Sequence, residues 1–172
     1  MSETVTDSVK VAYPSDRNMH RKIFGCFLMS QAFELAYATA WSFTRNRPLF
    51  LSLDDVLFLH PVDIGSVLEF RAQETYAPPP ETKKSDGTSF KSFVVAVRCD
   101  VIEPAEGTRK TTNTFSFIFT SSESRGSHLQ PPILLRPETF LEAIEFLDGK
   151  RRWEAGWKHI NEALESSRAV EW

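Results

Sequence analysis

The chain of 172 residues has the length of one ordinary domain and is long enough to bury its own core. Its hydrophobic fraction of 41% and its charged fraction of 25% are normal for a soluble globular protein. The formal net charge of −3 excludes the basic surface that is typical of nucleic-acid-binding proteins, so we expect no nucleic acid partner.

The two cysteines, Cys26 and Cys99, lack the C-x-x-C spacing of zinc and redox sites and predict no disulfide scaffold. Both lie among apolar residues, so we expect buried free thiols in a reducing compartment. Residues 1–7 carry acidic side chains and no apolar run, which argues against a signal peptide or a transit peptide. We therefore expect an intracellular, cytoplasmic protein.

The first strong element in chain order is a helix over residues 23–43, preceded by a leader over residues 1–21 with a short extended piece at 9–13. Apolar residues cover nearly the whole circumference of this helix, which predicts burial on all sides. Glu34 lies within it and argues against a membrane span, because a carboxylate in lipid is costly. Pro48 prevents the helix from continuing.

After Pro48 the hydrophobic pattern changes from a helical period to a strand-like one. Residues 49–60 form an apolar run that Asp54 and Asp55 interrupt, and residues 66–76 alternate as in a half-buried antiparallel strand. An exposed loop over 77–88 is followed by strands over 90–102 and 109–120, which a hairpin turn at 103–107 joins. The residues predicted to share one face are Leu68, Phe70, Ala72 and Tyr76 on the earlier strand, and Asn113, Phe115, Phe117 and Phe119 on the last.

The tail begins with a Ser/Pro-rich linker over residues 121–136. Pro137 suits the first position of a helix, Gly149 suits its end, and a last helix is expected from about Arg151. Trp153 and Trp157 in that helix are expected to serve packing or an interface. One buried helix, a set of antiparallel strands and then amphipathic helices predict an α+β domain whose sheet wraps the first helix.

Residues 18–29, with the sequence NMHRKIFGCFLM, and residues 32–36, AFELA, resemble the entrance to the central helix of acyl-CoA thioesterases. The likeness is to the second hotdog domain of the thioesterase 9 type, and residues 42–48, 54–70, 111–115 and 146–151 also fit that domain. It implies a hotdog fold, which is an antiparallel sheet wrapped around one long central helix. We accordingly divide the chain into a leader (1–21), a hotdog domain (22–122) and a linker with a C-terminal helical extension (123–172).

Two departures from this family bear on function. Its members usually carry two hotdog domains in one chain, whereas this sequence has one, which implies a homodimer or a higher homo-oligomer. Cys26 stands where the family usually has a second glycine, a residue that lets the backbone come close to a thioester.

Thioester hydrolysis needs a polarised carbonyl and an activated water or nucleophile. Gly25 and Cys26 lie at the N-terminal end of the long helix, where backbone N–H groups and the positive end of the helix dipole suit a developing oxyanion. The alternative is that Gly25 only permits close packing between helix and sheet.

Glu34 is the candidate general base. With Ser30, Gln31 and Tyr37 it makes the one polar stripe of an otherwise apolar helix, and an enclosed carboxylate there is expected to have a raised pKa. The resemblance implies a catalytic acid on this helix, and the thioesterase 9 type has Glu at this position. Related hotdog enzymes place the acid one residue earlier, where this chain has Phe33. The alternative is a carboxylate held by Gln31 or Tyr37 at a dimer seam.

Asn18 matches the asparagine that, in related thioesterases, works opposite the carboxylate of the partner domain. It is expected to orient water or the thioester carbonyl, or else to cap the helix entry. His20 precedes Glu34 by fourteen positions (34 − 20), which resembles the His/Glu pair of hotdog dehydratases, although a lone loop histidine is more often structural.

The candidate substrate-binding residues complete the predicted site. One of the two aspartates that interrupt the apolar run is expected to face the ligand groove or to cap an amide, and Asp55 is the preferred one. The alternative is a β-bulge with solvated carboxylates. The full set of candidate substrate-binding residues is Phe24, Gln31, Asp55 and Asn113.

Three functions stay open at this point. The first is hydrolysis of an acyl thioester of coenzyme A or of a carrier protein, with no metal and no redox cofactor. The second is the same pocket recruited to biosynthesis, such as polyketide release by cyclisation or dehydration. The third is a non-catalytic hotdog partner that binds acyl groups. Motifs for nucleotide binding, metal ligation and serine hydrolysis are absent from the sequence.

Overall fold

A computed structural model of the chain describes residues 1, 4–54, 56–78, 89–123 and 135–168. Its five strands form one antiparallel sheet in the order β1-β3-β4-β5-β2. The predicted α+β class and hotdog arrangement are confirmed, because the sheet packs against one long central helix. The elements are β1 (Thr6–Val11), a short 3-10 turn (Pro14–Asp16), α1 (Gly25–Thr44), β2 (Leu49–Leu53), β3 (Val67–Tyr76), β4 (Ser89–Glu103), β5 (Thr108–Glu123) and α2 (Phe140–Arg168).

The two helices lie on opposite faces of the sheet. Neighbouring residues of a strand point to opposite faces, and in β4 Val95 joins the core beneath α1 whereas Val94 joins a smaller cluster beneath α2. The predicted phenylalanine face of β5 lies on the α1 side. This side holds the main core, to which β5 contributes the fully buried rings Phe115, Phe117 and Phe119.

The long helix α1 packs closely on the sheet through small side chains. Ala32, Ala36 and Ala40 are fully buried, and their spacing of four residues places them on one helix face. The opposite face is exposed in the single chain, where Trp41 is 47% exposed. The expectation of burial on all sides was therefore wrong for one chain, because the sheet covers α1 from one side only.

A β-bulge in β3 divides the residues that were predicted to share a face. The register shifts between Glu74, which is opposite Val95, and Tyr76, which is opposite Val94. Glu74 therefore points to the α1 side, whereas Tyr76 packs against Phe146 and Trp153 on the α2 side. The prediction that Tyr76 continues the face of Leu68, Phe70 and Ala72 was wrong, since one extra residue reverses the side of every residue after it.

The C-terminal region contains one continuous helix, α2, where two were predicted. Gly149 lies in its interior, and a Cβ at this position would come within 2.7 Å of the Thr75 hydroxyl oxygen. The glycine therefore permits close packing of α2 on β3 and does not end a helix. Trp153 packs here as expected, and its indole N–H donates a hydrogen bond of 2.9 Å to the Ser92 hydroxyl.

The division into leader, domain and extension stays a prediction. Within the predicted leader, residues 6–11 form the edge strand β1, which pairs with β3. The predicted hairpin turn is confirmed, with Gly107 at a positive φ of 66°. Most of the predicted 77–88 loop and 121–136 linker lies outside the described residues. None of the helices among the described residues is long and apolar enough to cross a membrane.

We predict that Glu74 makes the stability of the fold depend on pH. Both of its carboxylate oxygens are buried without a hydrogen-bond partner among the described residues, and burial raises its pKa from 4.5 to about 8. The folded state keeps a proton that the unfolded chain releases, so the free energy of unfolding falls as the pH rises from about 4.5 to about 8 and then levels off.

Glu74→Gln should remove most of this fall and should be the more stable protein at pH 8, as measured by urea unfolding across this range. The exposed Glu103→Gln is the control and should retain the fall. An unchanged pH profile in Glu74→Gln would contradict the prediction.

Candidate active site

The N-terminal end of α1 offers two unpaired backbone donors. The amides of Phe27 and Leu28 bond to the carbonyl of Phe24, at 3.0 and 3.4 Å. The N–H groups of Gly25 and Cys26 have no acceptor among the described residues, as expected for the first turn of a helix. Phe24 occupies the N-cap position, and its side chain supplies no capping hydrogen bond. This end of α1 can therefore receive an anionic oxygen.

The ring of Phe58 packs over this helix end and explains why residue 25 is a glycine. A Cβ at Gly25 would lie 2.8 Å from the Cε1 and Cζ atoms of the Phe58 ring. Close packing at Gly25 is thus against a side chain of the segment that follows β2. The residues on either side of Phe58, Leu57 and Leu59, are hydrogen-bonded to β5. The Asn113 side-chain amide donates to the Leu57 carbonyl at 3.0 Å, and the Leu59 amide donates to the Thr112 carbonyl at 3.0 Å.

A mainly apolar pocket of about 540 Å³ opens between α1, β2 and β5. Its polar groups are the Ser30 hydroxyl and the Glu34 carboxylate, both from the outward face of α1. A cavity with an apolar wall and few polar groups is suited to a ligand with an apolar tail and one reactive polar centre. The remaining lining residues are Met29, Phe33, Phe50, Leu53 and Phe117.

Glu34 is exposed in the single chain, so the expectation of an enclosed carboxylate was wrong for one copy. Cys26, Ser30 and Glu34 follow one another at intervals of four residues and form an outward stripe on α1. Tyr37 instead turns inward and packs against Phe33 at a ring distance of 6.2 Å. Glu34 forms no hydrogen bond or ion pair within the described part of the chain, so neither Gln31 nor Tyr37 holds it there.

The loop before α1 positions Asn18 and His20. The Asn18 side-chain oxygen accepts hydrogen bonds from the backbone amides of His20, at 2.9 Å, and Lys22, at 3.1 Å. Arg21 between them has a left-handed φ of 58°, which the tight turn requires. Asn18 therefore caps this loop through its oxygen, while its amide nitrogen has no partner among the described residues. His20 is exposed at the tip of the loop.

The candidate substrate-binding residues are not all brought together. Phe24 is half exposed beside the helix end, whereas Gln31 is half-buried on α1 and does not line the pocket. Asn113 is fully buried and serves to anchor the segment that carries Phe58. Asp55 lies outside the described residues. Its neighbour Asp54 forms an ion pair with Arg152 of α2, which the sequence did not indicate.

The two cysteines differ in their surroundings. Cys99 is buried as expected, and burial raises the pKa of its thiol to about 11. Cys26 is exposed in the single chain, so the expectation that it is buried was wrong. Its position in the first turn of α1 faces away from the sheet, and apolar neighbours in the sequence do not reveal that direction.

Five pocket residues were missed by reasoning from the sequence: Met29, Phe33, Phe50, Leu53 and Phe117. The alternation along β5 places Phe117 on the helix-facing side, so the sequence pattern could have indicated Phe117 as a pocket residue. Phe50 and Leu53 belong to β2, whose ladder with β5 is irregular between Phe50 and Ser52, and no local pattern predicts that register.

Comparison with known proteins relates the chain to enzymes of acyl-CoA metabolism. It is 33% identical over 155 residues to acyl-coenzyme A thioesterase 9 of Homo sapiens and to acyl-coenzyme A thioesterase 10 of Mus musculus, both mitochondrial, covering 90% of this chain and 31% of each relative. A chloroplastic acyl-coenzyme A thioesterase 2 from Humulus lupulus is 36% identical over 120 residues, which is 70% of this chain and 26% of that protein. The chain is a hotdog domain homologous to the acyl-CoA thioesterases. It spans about a third of the length of the curated relatives that it matches.

Solved structures confirm the fold of this hotdog domain. The acyl-CoA hydrolase of Staphylococcus aureus, in complex with butyryl coenzyme A and coenzyme A, superimposes with a TM-score of 0.78 at 23% identity, over 99% of this chain and 95% of that one. The acyl-CoA hydrolase of Bacillus cereus gives a TM-score of 0.75 at 22% identity, over 98% and 94%. An apo-hexameric acyl-CoA thioesterase gives 0.73 at 23% identity, over 92% and 94%. No family model matches the chain.

We predict that Asn113 stabilises the segment over the α1 N-terminus. Asn113→Ala removes the amide that bonds the Leu57 carbonyl, so the free energy of unfolding should fall by about 1–3 kcal/mol. Hydrogen exchange at residues 56–59 should become faster. The neighbouring Thr114→Ala, at an exposed position, is the control, and equal effects of the two changes would contradict the assignment.

Proposed function

We propose that this domain hydrolyses acyl-CoA thioesters and that two copies form a homodimer to complete its active sites. The observation that carries the proposal is the outward face of α1, which combines unpaired amides at Gly25 and Cys26 with Glu34 beside an apolar pocket. The homology to acyl-CoA thioesterases supports the substrate class. The apolar pocket suits the acyl tail, and the helix end suits the thioester oxygen.

The geometry of α1 supports the participation of a second copy. Gly25 and Glu34 are nine residues apart (34 − 25), so they are separated by about 13 Å along the helix axis and one thioester carbonyl cannot contact both. Two α1 helices that pack antiparallel about a two-fold axis near Ser30 would bring Glu34 opposite Cys26 of the partner subunit. Each active site then uses the carboxylate of one copy and the helix end of the other.

The surface available for this pairing is apolar and continuous with the pocket. It consists of the exposed side of β2, the segment that follows it and the exposed start of α1. Leu49 in β2 is 52% exposed and Leu57 in the following segment is 71% exposed. An edge strand with exposed apolar side chains is a natural pairing surface. We call this surface the β2 seam, and it comprises Phe24, Met29, Leu49, Phe50, Leu57, Phe58 and Leu59.

In the proposed reaction, the Glu34 carboxylate accepts a proton from water while the water oxygen attacks the thioester carbonyl carbon. The amides of Gly25 and Cys26 stabilise the oxygen of the tetrahedral intermediate. As the carbon–sulfur bond breaks, the thiolate takes the proton from Glu34, which yields a carboxylic acid and a free thiol and restores the carboxylate. Asn18 of the partner subunit positions the water through its side-chain amide nitrogen, which has no partner among the described residues.

Two further expectations stay predictions. His20 is not required by the hydrolytic scheme, and its exposure at a loop tip leaves it for the biosynthetic alternative, in which a dehydration or cyclisation depends on it. A cytoplasmic location also stays a prediction, because the relatives named above are mitochondrial or chloroplastic.

We predict that Glu34→Gln strongly slows turnover. The amide keeps the shape of the side chain but cannot accept the proton from water, so kcat should fall by about 10²-fold or more. The measurement is thiol release from acyl-CoAs of graded chain length, with wild type and His20→Ala beside Glu34→Gln. His20→Ala should retain activity. An inactive wild type on every chain length, or a Glu34→Gln variant that keeps the kcat of wild type, would contradict the proposal.

We predict that charge at the β2 seam separates the subunits and stops turnover. The double variant Leu49→Glu/Leu57→Glu places four carboxylates in an apolar interface of two copies, so sedimentation should show a monomer without thioesterase activity. The matched control is Leu141→Glu/Leu147→Glu on the outward face of α2, where the two leucines are 62% and 63% exposed. The control should remain at least dimeric and active, and an active monomer of the seam variant would refute the shared site.

A further inference from the structure

We infer that Phe33 forms the inner end of the acyl pocket and limits the length of the acyl group that the site accepts. This inference rests on the proposed function and names a specificity-determining residue of that site. Phe33 lies next to Glu34 on α1, yet its ring points toward the sheet while the carboxylate faces outward. It separates the reactive end of the pocket from the aromatic core behind it.

The ring of Phe33 contacts two sets of aromatic side chains. On the pocket side, Phe50 and Phe117 meet it edge to face, with ring centroids 5.4 and 5.7 Å away. Behind it, Phe119 and Tyr37 lie at 6.1 and 6.2 Å. Phe50 and Phe117 line the pocket, whereas Phe119 and Tyr37 do not. Phe33 is therefore the wall between the cavity and the inner rings.

The direction of the acyl tail follows from the polar groups of the pocket. Ser30 and Glu34 lie on its open side, so a thioester carbonyl at Glu34 leaves the tail to run inward along Leu53 and Phe117. The end of the tail then meets the face of Phe33.

The wall is held firmly in place. Edge-to-face contacts with Phe50 and Phe117 and further contacts with Phe119 and Tyr37 hold the ring in place. Because Phe119 and Tyr37 pack behind the ring, a longer chain cannot push it inward without displacing them. We therefore expect the length limit to be sharp in the wild-type protein.

The test compares chain-length profiles of Phe33→Ala, Phe33→Trp and wild type on acyl-CoAs from four to sixteen carbons. Phe33→Ala frees roughly the volume of four methylene groups, so the length of maximal kcat/KM should increase by about four carbons. The value of kcat/KM for the longer chains should rise roughly tenfold or more. Phe33→Trp should shift the maximum toward shorter chains.

Phe146→Ala is the matched control. It also replaces a phenylalanine by alanine, but this ring packs against Tyr76 on the α2 side of the sheet, opposite the pocket. Its profile should match that of wild type. Thermal unfolding and sedimentation of each variant report whether it is folded and dimeric, and Phe33→Leu serves as the smaller change if Phe33→Ala does not fold.

Binding of non-hydrolysable thioether analogues of acyl-CoA, measured by calorimetry, separates this inference from the proposed function. Turnover by wild type with an unchanged profile in Phe33→Ala, or equal wild-type kcat/KM for all chains from four to sixteen carbons, would overturn the role of Phe33 and leave the hydrolase standing. Absence of turnover, together with analogue binding that shifts to longer chains in Phe33→Ala, would overturn the hydrolase and support the pocket. Absence of both turnover and analogue binding would overturn both.

Discussion

The close contact between α1 and the sheet is the constraint on which the rest of the structure depends. Three alanines at intervals of four residues let the helix backbone approach a sheet face that β5 fills with phenylalanine rings. Larger side chains at Ala32, Ala36 or Ala40 would lift the helix and open the core. This contact also sets the rotation of α1, so Cys26, Ser30 and Glu34 must face outward.

The two faces of the sheet differ in role: the α1 side carries the main core and the pocket, and the α2 side supports the strands. On the α1 side the aromatic core continues without interruption into the pocket, so core and site share Phe33 and Phe117. On the other side α2 braces the strands and reaches the end of β2 through the ion pair of Arg152 with Asp54. The segment after β2 in turn places Phe58 over Gly25. The chain between β2 and Phe58, which packs on the helix end, thus has contacts on both faces of the sheet.

The proposed chemistry follows from what one chain leaves incomplete. Among the described residues the amides at the helix end have no acceptor, and they lie too far from the exposed Glu34 carboxylate to share one thioester with it. The apolar edge strand β2 adjoins both groups. A two-fold pairing of α1 helices would bring the two groups together and would cover the apolar strand. Glu74 is the buried counterpart of Glu34, because its lack of a partner affects the stability of the fold and not the site.

The sequence by itself determined the order of elements, the antiparallel sheet beneath a long helix and the positions of Gly25 and Glu34, because hydrophobic period and helix-end chemistry are local properties. Only the tertiary structure decided the exposure of Glu34, the continuity of α2 through Gly149 and the side of the sheet on which Tyr76 lies. These depend on how elements distant in the chain meet. The bulge before Tyr76 reverses the face of the strand, and the close approach of β3 makes Gly149 a packing residue inside a helix. The local sequence pattern indicates neither of these.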